Sequence, residues 1–175
     1  VRAMNVRRGL PADIALAAGA VGLDPAAIAA VWGEAWPTIR GPDELHDALL
    51  TLHLLPEARA DAVHQGYLQV LISQRRACVL RCGTLQALCA SERAPLLRHL
   101  YAQAQPALPC TFTPEPPLIP GRQIAADVSE EVLATEVLRG WLAATGPWSA
   151  AALATLLGMP LPLVDVALLR LEGEG

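Results

Sequence analysis

Between Glu130 and Leu171 the apolar positions recur at helical spacing in three successive runs. Val132, Leu133, Val137, Leu138, Trp141 and Leu142 mark a helix over Glu130–Ala144. Thr145-Gly146-Pro147 breaks it, and Ser149 is placed to cap a second helix over Ala150–Leu157. Gly158-Met159-Pro160 then turns the chain into a third helix, from about Leu161 to Leu171. Short helix, tight glycine turn and helix make a helix-turn-helix, a scaffold for reading duplex DNA and also for purely structural packing. The third helix is a poor reader. Its polar residues are Asp165 and Arg170 among leucines and valines, whereas a base-reading helix exposes Arg, Asn, Gln or Ser near its start.

Upstream, Leu10–Trp36 reads as two helical pieces split at Gly22, the second opened by Asp24-Pro25 as cap and first-turn proline. Trp32 and Trp36 are four apart, share a face and suit packing. Further helices are expected over Pro42–Leu54 and Glu57–Gln74. The period then changes: Ala77–Leu80 and Leu85–Cys89 flank Cys82-Gly83-Thr84, a β-hairpin over 76–89. A turn at Gly83-Thr84 places Cys82 opposite Leu85 and Cys78 opposite Cys89. Ser91 is placed to cap a helix reaching about Gln105. Pro106–Asp127 holds six prolines, which exclude regular helix and inner strand and suggest a semi-rigid connector.

Helix, helix, helix, hairpin is the order of a winged helix. The expected fold is mainly α with a small β component, as tandem winged-helix-like modules. The division is an N-terminal helical segment at 1–24, a winged-helix-like module at 25–105, the linker at 106–127, and the helix-turn-helix part of a second winged helix at 128–175, cut before its wing.

Charge refines this picture. All 13 basic residues are arginine and the net charge is −4, so the chain is no bulk polyanion binder. Residues 1–10 carry three Arg and no acid, and 11–58 carry one Arg against seven acids. Residues 59–98 carry six Arg against Asp61 and Glu92, while 99–175 carry three Arg against eight acids. Phosphate contact is therefore expected from the middle segment. Asp43, Glu44 and Asp47 suit the helix dipole at the start of their helix. His46 and His53 are seven apart, about 10.5 Å along a helix, so they cannot share one zinc; His64 and His99 have no partner at motif spacing. The four cysteines form no CxxC pair and are expected as reduced core residues of a cytoplasmic protein. No phosphate-binding loop, GxSxG or Cys/His nucleophile pattern occurs, and no cofactor or metal is expected. No apolar run reaches the roughly 18–20 residues of a membrane span.

Arg40-Gly-Pro-Asp-Glu-Leu-His-Asp-Ala-Leu-Leu50, the most specific of several such segments, resembles part of the C-terminal region of large helicase-related (Lhr) proteins. Arg75-Arg-Ala-Cys-Val-Leu with Ala90-Ser-Glu-Arg-Ala-Pro-Leu-Leu-Arg98 is similar to a strand-turn-strand stretch of that family, and Val137–Leu142, Gly146-Pro147 and Leu168–Gly175 are similar to its next winged helix. The resemblance covers about residues 28–175 in the family's order. It implies a parent protein that is an ATP-dependent 3′-to-5′ DNA helicase acting in repair, with its motor outside these residues. It also implies single-stranded DNA or a DNA–RNA hybrid, the helicase core and neighbouring winged helices as partners, and possible homo-oligomers.

On this reading the chain is a non-catalytic DNA-binding accessory and assembly region, with Arg75, Arg76 and Arg81 at the hairpin as phosphate contacts. Two alternatives stand beside it: a part in uracil excision, as in a related DNA-glycosylase class, and a purely structural oligomerisation module. Gln103-Ala-Gln105 matches the glycosylase class's Gln-x-Gln motif in letters only, so no catalytic role is carried onto it.

Overall fold

The computed structural model describes residues 24–103, 109–118, 120, 124–125 and 127–174. The helical piece expected before Gly22 lies outside the described residues, as does Gln105. The fold is mixed α+β. In chain order the elements are α1 (Pro25–Ala35), α2 (Pro42–Leu52), β1 (Leu55–Pro56), α3 (Ala62–Ser73), β2 (Ala77–Cys82), β3 (Leu85–Ala90), α4 (Ala94–Gln103), β4 (Cys110–Thr113), α5 (Glu130–Ala144), α6 (Ala150–Leu157) and α7 (Leu161–Glu174). Single 3-10 turns precede α3 at Glu57–Arg59 and α4 at Ser91–Arg93. No helix among the described residues is long and apolar enough to cross a membrane.

Local chemistry explains most boundaries. Asp24 accepts a hydrogen bond from the Ala26 amide with proline at the start of α1, and Ser149 accepts one from the Ala152 amide at the start of α6. Gly158 ends α6 in the left-handed conformation, φ 62°, which glycine adopts without Cβ strain. The helix expected over Glu57–Gln74 is interrupted. Asp61 and His64 form a reciprocal capping box that starts α3 afresh at Ala62. The helix expected to reach Leu54 stops at Leu52, because His53 takes φ 66°. Ser91 does not cap a helix; its hydroxyl donates instead to the Arg75 carbonyl at 2.9 Å.

The hairpin pairs in the expected register, Cys82 opposite Leu85 and Cys78 opposite Cys89. The antiparallel sheet has the order β1-β3-β2-β4. Strand β4 lies within the proline-rich stretch, where no strand was expected. It sits at the sheet edge between Pro109 and Pro114, where missing amide donors are tolerated. Its arrival corrects the expectation of four reduced cysteines. β4 places Cys110 beside Cys82 with Cα atoms 4.4 Å apart, within bridging distance, and the two form a disulfide. Cys78 and Cys89 remain free and buried.

One apolar core runs through both halves of the chain. It joins Leu45, Leu49 and Leu52 of α2, the inner face of the sheet, Leu97 and Tyr101 of α4, and Val137, Leu138 and Trp141 of α5. The Tyr101 hydroxyl donates to the Leu157 carbonyl at 2.5 Å, tying α4 to the end of α6. The hairpin tip also meets the second half, because Leu85 lies against Gly158. All four tryptophans gather where α1 reaches the second half. Trp32 and Trp148 meet edge to face at 4.6 Å, Trp36 and Trp141 lie 6.2 Å apart, and the Arg59 guanidinium sits 5.3 Å from Trp32 and 5.0 Å from Trp148.

Buried His53 makes this core sensitive to acid. Its Nδ1 lies 3.1 Å from the Thr51 carbonyl, which can only accept, so Nδ1 carries the proton. Burial, with the Arg93 cation nearby, lowers its pKa from 6.5 to about 4 against the opposing pull of that carbonyl. The unfolded chain therefore binds the extra proton first. Stability from this group is complete above about pH 6.5 and is lost as pH falls towards 4, by roughly 3 kcal/mol. His53→Asn keeps a residue tolerant of positive φ and removes the titration. Urea unfolding across this range should show a flatter pH dependence for that variant; an unchanged dependence would exclude His53 as the source.

Candidate nucleic-acid interface

The structure separates the three arginines at the hairpin. Arg75 lies in the turn between α3 and β2 with φ 59°, which reverses the chain into the strand. Its amide donates to Ile72 O at 2.9 Å and its carbonyl accepts from Ser91 Oγ. Backbone bonds on both sides thus fix the turn, while the side chain is exposed and has no ion pair or hydrogen bond among the described residues.

Arg76 is engaged. Its guanidinium donates to Asp43 Oδ1 at 2.6 Å and to Gln74 Oε1 at 3.3 Å, and lies 3.1 Å from His46 Nδ1. Because arginine only donates, His46 Nδ1 accepts, so the proton of the neutral ring sits on Nε2 and faces Glu92 Oε2 at 3.2 Å. The result is a polar chain Asp43–Arg76–His46–Glu92, with His46 only 6% exposed. It fastens the start of α2, the base of β2 and the turn before α4. These are the segments Arg40–Leu50, Arg75–Leu80 and Ala90–Arg98 that carry the family resemblance. Asp43 and Glu44 do occupy the first turn of α2, as the helix dipole favours, and Asp43 in addition faces Arg76.

Arg81 is exposed near the hairpin tip, with Nε donating to Gln86 Oε1 at 3.1 Å directly across the strand pair. Its other neighbour in register is Thr111 of β4, and Val79 lies opposite Thr113. Alternation along the strands puts Val79, Arg81, Gln86, Thr111 and Thr113 on one face, all exposed or half-buried. The opposite face carries Cys78, Leu80 and Phe112 into the core. Sequence reasoning missed Thr111 and Thr113, because the only signal for β4 is a few β-prone residues between prolines.

β2 advances roughly 13 Å from Ala77 to Arg81, with Arg75 in the turn before it, and one strand of B-form DNA carries about four phosphates over that length. The two exposed arginines can therefore hold separate phosphates of one backbone, with a polar strip beside the second. The final helix offers a different surface. On α7, Leu161, Val166 and Leu169 are 44%, 40% and 66% exposed, and Arg139 on neighbouring α5 is paired with Glu174 at 2.6 Å. Gln103 donates to the Val128 carbonyl at 3.0 Å, so its amide serves the packing of α4 against the chain leading into α5. Among the described residues no group of three or more His, Cys, Asp and Glu is placed to hold a metal ion.

Comparison with known proteins returns no match: no family model, no curated protein and no solved structure.

Proposed function

We propose that this chain is a DNA-binding accessory region of an Lhr-type ATP-dependent 3′-to-5′ repair helicase, contacting the phosphates of single-stranded DNA through its β-hairpin. The observation that carries the reading is Arg75: an exposed cation with no partner among the described residues, on a turn held by backbone bonds at the foot of the hairpin. Arg81 extends the contact towards the tip, supported by Gln86. Arg76 acts as a positioning residue, since Asp43 and His46 already take up its guanidinium. The element order α2, β1, α3, β2, β3, with β1 paired to β3, supports a winged-helix-like reading of the first half. Helices α5, α6 and α7 support the helical part of a second such unit, used for packing.

Titration of a fluorescent single-stranded oligonucleotide by anisotropy tests the assignment. Two exposed ion pairs, each worth about 0.5–1 kcal/mol, give roughly a five- to thirtyfold loss of affinity at low salt for Arg75→Gln/Arg81→Gln. Arg139→Gln, on the far helices, should leave binding unchanged. Equal affinities for the wild type and the hairpin variant would remove the hairpin from the interface.

A further inference from the structure

We propose that Cys78 and Cys89 are a modification site: a peroxide converts this free thiol pair into a second cross-strand disulfide. The two residues face each other in register across β2 and β3, with their sulfurs 3.4 Å apart. A disulfide requires about 2.05 Å between sulfurs, so they need approach by only roughly 1.4 Å. The other cysteine on their hairpin is no competitor. Cys78 and Cys82 are four residues apart on one strand, about 13 Å, and Cys82 is already bonded to Cys110. The same sheet thus holds one formed bridge, between β2 and β4, and one pair poised to bridge β2 and β3.

The chemistry balances with a single oxidant. The sulfur of one cysteine attacks a peroxide oxygen, breaking the O–O bond and giving a sulfenic acid and one water. The second sulfur attacks the sulfenic sulfur; the S–S bond forms, the S–O bond breaks, and the hydroxyl leaves with the thiol proton as a second water. Two thiols and one hydrogen peroxide give one disulfide and two waters, with two electrons passing from sulfur to oxygen. Hydrogen peroxide suits the site because it is uncharged and close to water in size, and both thiols are fully buried. The bond to Cys78 and burial push the Cys89 thiol well up, which keeps it protonated. Oxidation is therefore slow in the closed fold and proceeds as the sheet opens. The new bond would close residues 79–88 into a ring, fixing the hairpin base two residues before Ser91, whose hydroxyl holds the Arg75 turn.

The test uses the intact chain exposed to hydrogen peroxide, then denatured, treated with iodoacetamide and weighed. Before oxidation two thiols, Cys78 and Cys89, should be alkylated. Afterwards none should be, the mass without iodoacetamide should fall by about 2 Da, and a tryptic digest should join peptide Ala77–Arg81 to peptide Cys82–Arg93. In Cys89→Ala that link should vanish. Gains of about 32 or 48 Da from sulfinic or sulfonic acid, two thiols still open to alkylation, or a link that survives in Cys89→Ala would each overturn the proposal.

Discussion

Truncating Trp141 to alanine is expected to cost about 3–5 kcal/mol of folding free energy, the range for a large aromatic removed from a packed core. Trp141 is fully buried and lies 6.2 Å from Trp36 and 6.1 Å from Trp148, so the cavity would open at the junction of α1, α5 and the turn before α6. Against a total stability of about 5–15 kcal/mol, that loss threatens the fold itself. Trp141→Phe behaves differently. The Trp141 indole nitrogen is buried with no hydrogen-bond partner among the described residues. Phenylalanine loses part of the packing but also removes an unsatisfied donor that costs about 1–3 kcal/mol. The two effects oppose, so Trp141→Phe should remain within roughly 1.5 kcal/mol of wild type by urea denaturation. A phenylalanine variant as damaged as the alanine variant would show that the nitrogen is satisfied in solution.

The second large effect is expected at the neighbouring residue. A Cβ on Gly140 would lie 1.9 Å from the Thr51 carbonyl oxygen and 3.2 Å from His53 Nδ1. The first contact is with backbone in the last turn of α2, so α2 and α5 would have to separate, and the Thr51–His53 hydrogen bond would be disturbed with them. Alanine returns about 1 kcal/mol of helix propensity. The clash costs more, because overpacking at a backbone contact exceeds the usual 1–3 kcal/mol, and the net loss should be about 2–3 kcal/mol. Gly66→Ala is the control. It lies in α3 with nothing within 4 Å of the added carbon, and should gain roughly 0.5–1 kcal/mol. If Gly140→Ala were as well tolerated as Gly66→Ala, the close packing of α2 on α5 would be wrong.

Much of the fold was legible wherever local chemistry and periodicity agree. Leu133, Val137, Leu138 and Trp141 repeat at helical spacing, Ser149 and Gly158 punctuate the next helix, and α5 and α6 begin and end where those signals place them. The hairpin register followed from one turn, Gly83-Thr84, because a two-residue turn fixes every pair behind it. Features that stayed hidden depend on tertiary contact. Strand β4 is four residues long and gains its ladder only from β2, so Cys110 could not be paired with Cys82 beforehand. Asp43 and Arg76 are 33 residues apart, and nothing local announces that they meet. For the same reason the sequence could not distinguish engaged Arg76 from exposed Arg75. The restart of α3 at Asp61 was not anticipated either, because the reciprocal partner in its capping box is a histidine at a position where Glu or Gln is the usual sign.

Contact between the exposed hairpin arginines and DNA phosphates is measured most directly by counterion release. The logarithm of affinity for single-stranded DNA against the logarithm of salt should be steeper for wild type than for Arg75→Gln/Arg81→Gln by about 1.4, two contacts at about 0.7 each. Parallel lines would contradict it.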